Sequence, residues 1–125
     1  MILVDTSVWV EHFRRGAPEL SRLLDAGQIL CHPFVIGEVA LGAMRQRLLL
    51  VGQLQSLPRC TVASDAEILE FINRSKLFER GIGYVDVHLL ASLRITPGSS
   101  LWTFDKRLNR VAEELEIAIK TDGDI

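Results

Sequence analysis

Short apolar runs at residues 1–4, 28–31, 99–103 and 117–119 constrain this chain more than any other feature. None is long enough to be a helix, and the first, Met1-Ile2-Leu3-Val4, shows no polar alternation. Such a run is what a strand buried on both faces looks like, and strands of that kind belong to parallel sheets covered by helices. Between the runs, apolar residues recur at helical spacing. The alternation predicts an α/β chain, one three-layer α/β/α domain with a four- to five-stranded parallel sheet, and residues 60–62 supply a further candidate edge strand. The 125 residues suit one domain and not two. That domain is expected over residues 1–120, with 121–125 as a frayed tail.

Punctuation sets the helices. Asp5-Thr6-Ser7 can start the first, which Gly16 ends, and Pro18 opens a second that Ala26-Gly27 stops. Pro33 begins a helix through residue 44. A further one over 45–57 is expected to bend near Gly52 and close at Pro58. Residues 65–80 carry Ile68, Leu69, Ile72 and Leu77 at helical spacing. Residues 84–95 form a largely apolar helix ended by Pro97-Gly98, and 105–116 a last one.

An apolar fraction of 48% against 24% charged residues excludes a disordered chain. A formal net charge of −2 gives no global basic field, so any nucleic-acid contact must rest on a local rim of Arg and Lys. The two cysteines, Cys31 and Cys60, have no CxxC spacing and sit in apolar stretches, as reduced buried thiols do. Asp5, Glu11 and Arg14 interrupt the apolar start, which is therefore not a signal peptide, and residues 48–51 are too few to cross a membrane. A cytoplasmic protein is expected.

Four carboxylates carry the chemistry. Asp5 follows the first strand and Asp105 follows Leu101-Trp102-Thr103, at the carboxyl ends of strands where open α/β sheets place their ligands. Both also precede helices, so each can serve as an N-cap. Glu38 lies in Phe34-Val35-Ile36-Gly37-Glu38-Val39-Ala40-Leu41, and Asp86 in Tyr84-Val85-Asp86-Val87-His88-Leu89-Leu90. Burial of an ionised carboxylate in such surroundings costs several kcal/mol unless a cation or donor meets it. A shared divalent ion accounts for all four acids together. Oxygen ligands without Cys or paired His suit Mg²⁺ or Mn²⁺, the ions of metal-assisted attack of water on a phosphodiester. Thr6, Ser7 and Thr103 flank the acids and can bond a water, a phosphate or simply the local backbone.

The cations Arg14, Arg15, Lys106 and Arg107 lie nearest the strand-end acids in sequence and are the first candidates for phosphate contacts; Arg45, Arg47 and Arg110 are further ones. His12, His32 and His88 form no ligand-like pair, and His88 has no assigned role. Trp9 and Phe13, at helical spacing, read as core or dimer contact in preference to a stacking platform.

Three rivals remain at this level. An aspartyl phosphatase wants a second Asp two positions after the first, where Ser7 stands. A Mg²⁺-binding phosphotransfer receiver wants paired acids at the first strand and a late Lys that Lys120 fits poorly. A non-catalytic interaction module would leave the acids as caps, which suits Glu38 and Asp86 badly.

Four segments, in order, resemble those of the PIN-domain ribonucleases, and specifically the VapC-like toxins of bacterial type II toxin–antitoxin systems. They are Ile2-Leu3-Val4-Asp5-Thr6-Ser7-Val8-Trp9, Pro33-Phe34-Val35-Ile36-Gly37-Glu38, Gly81-Ile82-Gly83-Tyr84-Val85-Asp86 with Leu89-Leu90-Ala91-Ser92, and Leu101-Trp102-Thr103-Phe104-Asp105-Lys106-Arg107-Leu108. The resemblance implies that Asp5, Glu38, Asp86 and Asp105 bind Mg²⁺ or Mn²⁺, with Thr103 as the small polar residue beside them. It implies endonucleolytic cleavage of RNA such as tRNA or ribosomal RNA. It also implies a homodimer and a cognate antitoxin whose C-terminal segment covers the active-site groove.

Overall fold

Strand β1 (Ile2–Val4) is the middle of a parallel sheet, with β2 (Ile29–Leu30) on one side and β3 (Ser100–Trp102) on the other. The structure is a computed structural model and describes residues 1–120. Ile2 stands opposite Ile29 and Ser100, Leu3 opposite Leu30 and Leu101, and Val4 opposite Trp102. Leu3, Val4 and Leu101 are fully buried, which is why β1 tolerates no polar alternation.

The sheet corrects the expected strand number. Among the described residues it has three strands, and residues 59–62 and 117–119 contribute only single bridges, Cys31 with Arg59 and Leu101 with Ala118. Each bridge has a local cause. Cys31 N donates to Pro58 O and Cys60 N to Cys31 O, but Pro58 has no N–H with which to continue the ladder. On the other edge Glu116 takes φ 62°, so the chain turns directly into its pairing with Leu101. The α/β class and the parallel direction stand.

Seven helices accompany the sheet among the described residues: α1 (Thr6–Arg15), α2 (Pro18–Asp25), α3 (Pro33–Leu41), α4 (Arg47–Gln55), α5 (Asp65–Arg74), α6 (Tyr84–Arg94) and α7 (Lys106–Glu114). Helices α1, α3 and α4 pack together, α5 packs on α6, and α6 and α7 rest against β3. Three helices are shorter than their apolar spacing predicts. Helix α3 stops at Leu41 because Gly42 is extended, and α4 begins only after Gln46 takes a left-handed conformation; α4 then passes Gly52 without a break. Helix α5 stops at Arg74. Lys76 adopts φ 54° and Leu77 N bonds back to Ile72 O, closing the helix as a glycine cap would. Leu77, at 4% exposure, reaches the core from that turn and not from a helical face. Residues 121–125, expected as a tail, lie outside the described residues.

His32 caps α3. It is fully buried, and its Nδ1 accepts from Phe34 N at 3.0 Å while Nε2 has no partner among the described residues. Burial, and then the neighbouring His88, push its pKa down to about 4. The unfolded chain binds this proton near pH 6.5, so stability falls as pH drops below 6.5 and levels off near 4. The loss cannot exceed about 3 kcal/mol for a shift of that size. Urea midpoints at pH 7.5 and pH 5 are expected to differ accordingly. In His32→Asn, which keeps a capping oxygen and cannot titrate, that part of the difference should vanish. An unchanged difference would assign the pH sensitivity to other groups.

Candidate active site

The sheet register builds the centre of the site. Leu3 pairs with Leu101, so two residues on, with side chains on the same face, Asp5 meets Thr103. Asp5 N continues the ladder to Trp102 O at 3.0 Å. The Thr103 hydroxyl then donates to Asp5 Oδ2 at 2.8 Å, across 98 residues of sequence. Ser7 Oγ donates to the same oxygen at 2.8 Å. Both hydroxyls also accept backbone donors, Thr103 from Asp105 N and Ser7 from Phe104 N, each at 3.0 Å. Asp5 occupies the N-cap position of α1 but its carboxylate bonds no α1 amide, which removes the simple capping explanation.

The other three acids come to the same edge. Asp105 caps α7, with Oδ1 accepting from Arg107 N at 2.9 Å and Leu108 N at 3.1 Å. Asp86 stands in the first turn of α6, and its Oδ2 accepts from Gly83 N at 2.9 Å. Glu38, on α3, accepts from Thr6 Oγ1 through Oε1 at 2.6 Å. A common pattern emerges: among the described residues each acid spends one oxygen on the scaffold and leaves the other without a donor.

Burial differs from the sequence expectation. Asp5 is the enclosed acid at 7% exposure and Asp86 is half-buried, but Glu38 and Asp105 are exposed. Helix α3 is apolar nearly all round, and its open side carries Phe34 and Leu41 beside Glu38, so apolar neighbours in sequence did not mean burial. Electrostatics still join the four. Burial raises the Asp86 carboxyl above its ordinary pKa, the Gly83 amide opposes this, and the charges of Asp5, Asp105 and Glu38 raise it further. No Lys, Arg or His forms an ion pair with any of them among the described residues.

Among the described residues no three His, Cys, Asp or Glu side chains converge closely enough to hold an ion by themselves. Clustered, uncompensated carboxylates with a free oxygen each still fit a hard divalent ion. Mg²⁺ keeps several of its waters and takes only one or two carboxylates directly, so wider spacing of the remaining acids suits it.

The cations divide. Arg14 and Arg15 sit at the far end of the ten-residue helix α1, roughly 13 Å along its axis from Asp5. Arg15 pairs there with Glu11, and Arg14 lines a groove with Phe13, Met44 and Arg45. Nearness in sequence thus brings neither beside Asp5, because a helix carries its last turn away from its first. Lys106 and Arg107 open α7 directly after Asp105 and are exposed. The Arg107 side chain lies across Gly81, which has φ 78°; a Cβ there would meet Arg107 Cδ and a terminal nitrogen at 2.7 Å. Gly81 therefore seats this arginine. Trp9 is buried with Phe13 stacked on it at 5.7 Å, which makes the pair core. His88 is buried among aromatic rings and touches none of the four acids by hydrogen bond.

A PIN-domain family model matches residues 2–114 of this chain. Two relatives, each named Ribonuclease VapC32 and coming from Mycobacterium tuberculosis strains CDC 1551 and H37Rv, are 43% identical to it over 119 residues. The match covers 95% of this chain and 96% of each relative.

Proposed function

Since the chain belongs to the PIN-domain family, we propose that its acidic cluster serves RNA hydrolysis: the protein is a metal-dependent endoribonuclease, the toxin of a type II toxin–antitoxin pair. The observation that carries this reading is the set of four acids, each tied down by one oxygen and open at the other, with no protein cation to neutralise them. The unit responsible is one PIN-like nuclease domain over residues 1–120.

Of Asp5, Glu38, Asp86 and Asp105, one or two would hold Mg²⁺ or Mn²⁺ directly through an open oxygen, and the others would hold its waters. Such an ion, when bound, offsets charge on phosphoryl oxygens and makes an attacking water more acidic. The chain supplies position. Thr103 and Ser7 fix Asp5, Thr6 fixes Glu38, and the starts of α6 and α7 fix Asp86 and Asp105. Arg107, seated on Gly81, and Lys106 meet the phosphates of the bound strand. Substitution Arg107→Ala is expected to weaken RNA binding several-fold and to reduce the slope of log affinity against log salt by about 1. An unchanged slope would remove Arg107 from the phosphate contacts.

The substrate class is structured RNA, tRNA or ribosomal RNA, and the partners are a second copy of the chain and a cognate antitoxin whose C-terminal segment covers the groove; of this set, the relatives' name supports an RNA substrate and an antitoxin. No helix among the described residues is long and apolar enough to cross a membrane, which accords with action in the cytoplasm. The deciding experiment incubates purified, antitoxin-free protein with bulk tRNA and ribosomal RNA in Mg²⁺, Mn²⁺ or EDTA. Cleavage with either metal and none in EDTA is expected. Equal cleavage in EDTA would overturn the metal-dependent reading.

A further inference from the structure

Two exposed aromatic rings on the helices that carry Glu38 and Asp86 have no part in the site described so far. Phe34 opens α3 one turn before Glu38, and Tyr84 opens α6 two residues before Asp86. They are 37% and 50% exposed. The buried His88 ring lies between them, 4.5 Å from Phe34 at 62° and 4.9 Å from Tyr84 at 79°. His32, also buried, backs the group at 5.0 Å from Phe34 and 6.0 Å from His88. Two enclosed imidazoles thus hold two open rings on the very helices that carry two of the acids.

A surface of this kind has a specific use next to a phosphodiester site. Single-stranded nucleic acid is gripped by aromatic rings on which bases stack, because every base offers a π face whatever its sequence. Rings already fixed by packing lose little freedom on binding, which favours affinity. Phe34 lies only about one helical turn, roughly 6 Å of rise, from Glu38. A base stacked there would belong to a nucleotide close to the one whose phosphate faces the acids. We propose that Phe34 and Tyr84, braced by His88 and His32, form a stacking shelf for a nucleobase next to the scissile phosphate. This rests on the ribonuclease reading and deepens it: the arginine side grips phosphates, and the aromatic side grips a base. It also gives His88 a positioning role in place of a catalytic one.

The test uses the full chain carrying Asp5→Asn, so that bound RNA is not cut. Affinity is measured by fluorescence anisotropy for a labelled oligouridylate and for its abasic ribose-phosphate counterpart, over a range of salt. The shelf requires tighter binding of the oligouridylate. Phe34→Leu with Tyr84→Leu should lower oligouridylate affinity roughly tenfold, with abasic affinity and salt slope unchanged. Tyr84→Trp, which keeps a stacking face, should retain the affinity and guards against misfolding as the cause of any loss. Equal losses on both probes, or none on either, would overturn the shelf while leaving the nuclease reading in place. So would a fall in sedimentation mass with RNA affinity unchanged, since the rings would then serve a second copy of the chain. Failure of the parent Asp5→Asn protein to bind either probe would overturn the shelf, while the ribonuclease reading stands or falls on the cleavage of tRNA and ribosomal RNA.

Discussion

Asp5→Asn is expected to cut the rate of RNA cleavage by about a thousandfold or more while the protein keeps its fold. The asparagine side chain has the same shape, and its amide oxygen accepts from Ser7 and Thr103 as the carboxylate Oδ2 does. What disappears is the charge, and the free oxygen becomes a donor that repels a cation. Because the substitution also relieves repulsion among four acids, thermal stability in metal-free buffer should stay level or rise slightly. Single-turnover cleavage and a melting curve on the same preparation check both halves. Activity above a tenth of the parent rate would remove Asp5 from the centre of the site.

The largest effect on stability is expected from Leu101→Ala. Leu101 is fully buried in β3, pairs with Leu3 of the central strand, and exchanges backbone bonds with Ile117 and Ile119 on its other side. Truncation leaves a cavity where the sheet cannot collapse without losing the Asp5–Thr103 register, so a loss of about 3–4 kcal/mol follows. For a domain of this size that lowers Tm by roughly 10 °C. Denaturant unfolding gives the value directly, and a loss under about 1 kcal/mol would mean that β3 is not the packed strand described here.

Some of the architecture is legible in residues alone. Strand ends at Asp5 and Asp105 are visible because an unalternated apolar run that stops at a polar residue has few other meanings. The three hydroxyl residues Thr6, Ser7 and Thr103 flank those acids in sequence and prove to bond Glu38 and Asp5 in space. Other features were hidden for definite physical reasons. Spacing alone cannot distinguish a helix that continues from one that turns at Lys76 and reinserts Leu77, since both place Leu77 inside. Glu38 was singled out for burial it does not have, because α3 keeps an apolar side exposed. The seating of Arg107 on Gly81 and the ring cluster around His88 join residues distant in sequence, and only the packing of α6 against its neighbours reveals them.

The hydrogen bond from Thr103 to Asp5 spans nearly the whole described chain, and β1 has no sheet neighbour on that side until β3 has been made. A ribosome adding about 5–20 residues per second needs roughly 5–20 seconds to travel that distance. Throughout that interval Asp5 is present but unpositioned, and the emerging polypeptide has no assembled centre. Contacts of such long sequence separation also form slowly, since the intervening segment must close as a loop. For a ribonuclease of this family, the topology therefore acts as a timer. Cutting power arrives only after Thr103 and Asp105 have been made and β3 has joined β1.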